Sequence, residues 1–139
     1  MIKRALTQYG IKEFPGEANN PEIKKYFDAI GETWAGDDET AWCSAYMNWA
    51  AKVSGYEYTG KLNARSWLNL GEPIERFQQV GDVAIFWRGS IDDWRGHVGM
   101  YISEDKDHVW VLGGNQSNMV RISAYSKSQI LGYRRLRKI

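Results

Sequence analysis

A chain of 139 residues, 43% hydrophobic and 25% charged, is of one-domain size and apolar enough for a real core, which sets disorder aside. Its net charge of +1 disfavours a duplex nucleic-acid binder that works by neutralising phosphates. One cysteine excludes an intramolecular disulfide and a cysteine-based zinc site, and His97 and His108 are the only histidines.

The N-terminal Met1-Ile2-Lys3-Arg4 leads into a mixed polar run rather than an apolar signal-peptide core, so the expectation is a product made in the cytoplasm. No stretch approaches the ~18 apolar residues of a membrane span, which argues against stable membrane insertion. Ile2 to Tyr9 reads as a short helix closed by Gly10. The turn-rich loop from Glu13 to Asn20 follows, and Pro21 suits the first position of a new helix capped by Asn20. That helix, Glu22 to Ile30, sets Ile23, Tyr26, Phe27 and Ile30 on one face and stops at Gly31.

The acidic run Asp37-Asp38-Glu39 and the N-cap residue Thr40 open the next helix. Its apolar stripe is Trp42, Ala45/Tyr46, Trp49 and Val53, ending at Gly55. Cys43 falls in the first turn, where free N–H groups and the helix dipole favour a thiolate. The opposing reading is that a lone cysteine is simply a small core residue. The acids are either favourable charges at a helix start or contacts for a substrate amine or sugar.

A short helical piece spans Ala64 to Leu70, and then the period changes to that of strands. Strands are expected at 81–87, 97–102, 108–112, 119–122 and 130–136, with turns at 104–107 and 113–118. Helices first and then about five strands in meander order define an α+β domain, its N-terminal helices packed on an antiparallel sheet. The whole chain, 1–139, reads as one domain. The basic tail Arg134-Arg135-Leu136-Arg137-Lys138 stands without a second basic cluster and reads as a solvated final strand.

A thiol nucleophile needs a base within hydrogen-bond reach, and the base needs a group that fixes its tautomer. Pairing through the Glu104–Asp107 turn sets His97 opposite Gly114 and Asn115 at one end of the sheet. A slip of one residue there would exchange the two faces. Taken singly, His97 is a strand-end histidine and Asn115 a turn residue; together with Cys43 they form a candidate catalytic set. Seven Trp and eight Tyr make either a stiff core or a ring-lined groove. Trp42, Trp87, Trp94 and Gln116 are the groove candidates, and Trp94, in a polar loop just before His97, is the least explained by packing.

The blocks Asp38-Glu39-Thr40-Ala41-Trp42-Cys43-Ser44-Ala45-Tyr46-Met47-Asn48-Trp49, Ala64-Arg65-Ser66-Trp67-Leu68 and Gly81-Asp82-Val83-Ala84-Ile85-Phe86 carry a family resemblance. So do Gly96-His97-Val98-Gly99-Met100-Tyr101, Val111-Leu112-Gly113-Gly114-Asn115-Gln116-Ser117 and Leu131-Gly132-Tyr133-Arg134-Arg135. The chain resembles small NlpC/P60- and CHAP-related cysteine hydrolases of the phage-lysin or secreted-effector kind. The resemblance implies a papain-like fold and cleavage of a peptidoglycan amide, with Cys43 as nucleophile, His97 as base and Asn115 as orienting residue. Asp38, Trp42, Trp94 and Gln116 then stand as substrate-binding candidates. The chain departs from the wider family at Trp42, where an acid often precedes the cysteine, and at the third position, which carries an amide.

The implied enzyme is an N-acetylmuramoyl-L-alanine amidase or stem-peptide endopeptidase that uses no metal or cofactor. It would be a monomer reaching the wall by holin-assisted release or specialised secretion, and a cognate inhibitor or immunity protein fits such a role. The alternatives are a papain-like deamidase or acyltransferase acting on protein or lipid, and a non-catalytic wall-binding module.

Overall fold

The structure is a computed structural model and describes residues 1–14, 20–33 and 42–139. Three α-helices precede the sheet: α1 (Ile2–Leu6), α2 (Pro21–Asp28) and α3 (Trp42–Val53). A 3₁₀ helix over Ala64–Asn69 leads to β1 (Glu72–Pro73), β2 (Val83–Trp87), β3 (Gly96–Glu104), β4 (His108–Gln116), β5 (Met119–Ser126) and β6 (Ile130–Arg135). The Asn20 side chain accepts from Glu22 N at 2.9 Å, so α2 starts at the Asn-Pro pair as its sequence dictates.

The sheet is antiparallel with six strands in the order β1-β6-β2-β3-β4-β5. The six strands agree with the expected count of about five, but their order corrects the expected meander. Only β2 to β5 run in chain order; β6 returns to the free side of β2, and the two-residue β1 covers its outer edge. A strand that short carries no periodic signal. Its approach is set at Gly71, φ +75°, where a Cβ would lie 2.7 Å from the Arg135 carbonyl oxygen. Buried Asp82 ties the same edge down: its two carboxylate oxygens accept from Arg135 Nε and Nη2, each at 2.9 Å.

Alternation divides the sheet into two faces. Val83, Ile85, Val98, Met100 and Leu112 pack with the helices, whereas Ala84, Phe86, Tyr101, Val109 and Val111 form a second cluster with Tyr125, Ile130 and Tyr133.

Helix α3 was expected to bury one stripe, but Ser44 and Asn48 on its other side are also fully buried. Lys61 O accepts from Ser44 Oγ at 2.7 Å and from Asn48 Nδ2 at 3.0 Å. Gly60 N and Trp67 Nε1 donate in return to Asn48 Oδ1 and Ser44 Oγ. Polar residues on this face thus fasten the segment that follows the helix instead of meeting water.

The first turns of α3 pack directly on β4. A Cβ on Gly114 would lie 2.8 Å from Tyr46 Cβ and 2.9 Å from the Trp42 ring, and both side chains are fully buried. Gly114→Ala is therefore expected to destabilise the fold by about 1–3 kcal/mol, read as a lower urea midpoint at unchanged slope.

Candidate active site

Cys43 stands in the first turn of α3 and is 2% exposed. Burial pushes the Cys43 thiol up; the backbone at Val98, Ser44 and Cys43 and the Arg88 charge act in the opposite direction without outweighing it. The expected cap at Thr40 and the acids Asp37, Asp38 and Glu39 lie outside the described residues.

His97 is the second residue of β3, adjacent to Val98, and is fully buried. Its ring stacks on Tyr125 at 4.9 Å between centroids and lies 6.3 Å from the Phe86 ring. The cysteine belongs to the helix-side cluster and the imidazole to the opposite face. The β3–β4 ladder runs from Glu104↔Val109 only as far as Met100↔Leu112. Beyond that point a side-chain bond joins the two strands, with His97 Nε2 2.8 Å from Gln116 Oε1.

The amide bonded to His97 is thus that of Gln116, where the sequence pointed to Asn115. By alternation from Gly113, Asn115 would share the face of His97. Asn115 instead has φ +56°, and the β4–β5 register shifts between Gly113 and Gln116. The bulge inserts one residue and swings Gln116 onto that face, where its Oε1 would lie 2.6 Å from a Cβ on Gly113. Ser117 and Asn118, φ +54° and +61°, then close the tight turn between Gln116 and Met119.

The hydrogen-bond network settles the tautomer. Gln116 Nε2 donates to Arg121 O at 2.6 Å and to Val111 O at 3.3 Å, which leaves Oε1 facing the imidazole. The His97 proton is therefore on Nε2, and Nδ1 keeps a lone pair. Arg88 Nη2 lies 3.3 Å from Nδ1 and donates to it. The Arg88 charge also acts on Tyr125, the ring stacked on the imidazole.

The substrate-binding candidates divide. Trp42 is fully buried, stacks on Tyr26 and donates from Nε1 to Glu13 Oε1 at 2.7 Å, so it is core and not groove. Gln116 is 2% exposed and committed to His97, so it does not line a groove either. Trp87 is half-buried and donates from Nε1 to Ser128 O at 3.2 Å. Trp94 is 74% exposed and lines a cavity with Arg88, Arg95 and Gly96, one residue from His97. His108 is exposed at the far end of β4.

Arg88 and Tyr125 were missed by the sequence reading. The signal for Arg88 was available: the β2–β3 hairpin pairs Phe86 with His97, so a cation just past Phe86 has to emerge beside the histidine. Among the described residues no cluster of three or more His, Cys, Asp or Glu side chains has the makings of a metal site.

Burial lowers the His97 pKa to about 3, with Arg88 acting in the same direction and the Gln116 bond opposing. The folded value lies below the ordinary ~6.5, so the unfolded chain takes up this proton first. Stability from this group is complete above pH ~6.5 and is lost as pH falls toward 3, at up to about 1.4 kcal/mol per pH unit. Of the groups around the ring, burial pushes Tyr125 up to about 12 and also raises Cys43, so both stay neutral. Urea midpoints between about pH 4.5 and 7 should fall with acid in the wild type and lose this slope in His97→Gln.

No family model matches the chain, and no curated protein matches it.

Proposed function

We propose that this protein is a papain-like cysteine hydrolase, related to the NlpC/P60 and CHAP enzymes, that cleaves an amide bond of peptidoglycan. The observation that carries the reading is the His97–Gln116 pair: a buried amide fixes the imidazole with a lone pair on Nδ1, in a chain whose one cysteine starts a helix packed on the same strands. A histidine retained only for packing needs no amide to fix its tautomer.

In this mechanism the Cys43 thiol gives its proton to His97 Nδ1, and the sulfur attacks the amide carbonyl carbon. The backbone N–H groups at the start of α3 donate to the oxyanion. The C–N bond breaks, and the Nδ1 proton leaves with the amine. Water, deprotonated by the same nitrogen, then hydrolyses the thioester, which frees a carboxylic acid and restores the thiol. Gln116 holds the ring throughout by accepting from Nε2–H, the role the resemblance gave to Asn115. The bond is the glycan–peptide amide or one within the stem peptide, and the site of action is the cell wall.

The test is incubation of purified protein with peptidoglycan sacculi and mass spectrometry of the released muropeptides. Amidase action frees intact stem peptides, whereas endopeptidase action leaves shortened stems on the glycan. No release at any of several pH values would overturn the reading.

A further inference from the structure

The mechanism above leaves one charged group beside the reacting atoms without a role. Arg88 follows β2 in an exposed loop, yet its guanidinium reaches inward to His97 Nδ1. Among the described residues no carboxylate forms an ion pair with it, in contrast to Arg95, which Asp93 holds at 2.7 Å, and Arg135, which Asp82 holds at 2.9 Å. A guanidinium has five donors in a planar fork that matches a carboxylate. Here one of them is spent on a neutral imidazole nitrogen.

The loop carrying Arg88 is built and held in place. Arg65, on the 3₁₀ helix, donates to three of its carbonyl oxygens: Arg95 at 2.9 Å, Ile91 at 2.8 Å and Ser90 at 3.1 Å. Gly96 lies so close beneath that a Cβ there would be 2.8 Å from Phe86 O and 3.2 Å from Arg65 Cγ. Against this brace, Arg88, Trp94, Arg95 and Gly96 line a cavity of about 170 Å³, which fits a carboxylate on a short side chain. Trp94 supplies an apolar wall, and its large exposure has no packing explanation.

Building on the hydrolase reading, we propose that Arg88 and this cavity form a subsite for a substrate carboxylate close to the scissile amide, and that occupancy draws the guanidinium off His97. In the unliganded site Arg88 caps the lone pair that must receive the Cys43 proton. A carboxylate is the stronger partner, because a charge-assisted pair exceeds a bond to a neutral acceptor. The shift frees Nδ1 for the thiol, so the acidic substrate assembles the base that cuts it. The substrate class is an acidic peptide, and its carboxamide counterpart is cut poorly.

Cys43 is the chain's only cysteine, so alkylation tests the subsite without reference to peptidoglycan. In each reaction the sulfur displaces iodide from carbon. Iodoacetate presents a carboxylate; iodoacetamide is its neutral analogue. The iodoacetate-to-iodoacetamide rate ratio of the wild type should fall at least about 10-fold in Arg88→Gln and be partly kept in Arg88→Lys. Iodoacetamide reports the change in thiol reactivity that each Arg88 substitution brings on its own, and taking the ratio removes that change. Circular dichroism should show the same fold, since the substituted side chain lies in an exposed loop. An unchanged ratio in Arg88→Gln would overturn the subsite, as would failure of either reagent to reach Cys43 in the folded protein. The sacculus assay reports separately on the hydrolase reading, so failure there is distinct from failure of the alkylation ratio.

Discussion

Replacing Cys43 by alanine is expected to lower muropeptide release by at least about 10³-fold, because the covalent route disappears and only binding and oxyanion donors remain. The change removes one sulfur atom from a tightly filled site, 2% exposed, and should destabilise the fold by only about 1–2 kcal/mol. Circular dichroism and the urea midpoint should therefore remain near wild type, and co-sedimentation with sacculi should persist. That combination separates a lost nucleophile from a lost fold. Release at wild-type rate by Cys43→Ala would mean that the thiol is a packing group and that the chemistry lies elsewhere.

The second large effect lies at the bulge. Gln116→Ala removes the acceptor from His97 Nε2 and the donors to Arg121 O and Val111 O in a buried setting. Leaving such groups unpaired costs about 1–3 kcal/mol each, so a total loss near 2–4 kcal/mol is expected after partial rearrangement. With the ring free to turn, kcat should fall by about 10–10³-fold and KM by much less, because the defect is in base geometry. Asn115→Gly is the comparison. It keeps the left-handed backbone that Asn115 adopts at φ +56° and leaves the amide on His97 in place. Its activity should stay within about threefold of wild type, whereas a collapse as deep as that of Gln116→Ala would return the orienting role to Asn115.

The order of elements was readable because each is bounded by local chemistry: Asn20-Pro21 at the start of α2, and Gly55, with φ +79°, after α3. The positions of Cys43 at a helix start and His97 at a strand start were legible as well, since neither needs knowledge of packing. What escaped depends on distant contacts. The polar flank of α3 looks solvent-facing until Lys61, Gly60 and Trp67 supply partners for Ser44 and Asn48. The place of β6 between β1 and β2 depends on Asp82 meeting Arg135 across the sheet. The exchange of Asn115 for Gln116 depends on a single inserted residue, and a period of two turns that insertion into a change of face. Asparagine tolerates the left-handed region, so Gly-Gly-Asn was a legible warning of the bulge.

The bulge also sets when the site can exist. Gln116 belongs to the β4–β5 hairpin, whose tight turn at Ser117-Asn118 makes it one of the shortest-range pairings in the molecule. Cys43 comes from a remote part of the chain, on a helix that docks on β3 and β4. On the proposed reading, orientation of the base needs only β3 to β5, whereas supply of the nucleophile needs the whole fold. A chain that has formed its hairpin but not docked its helix has an aligned imidazole and nothing to deprotonate. On the proposed reading, hydrolytic activity would report complete folding, and a partly folded or threaded chain would be catalytically silent.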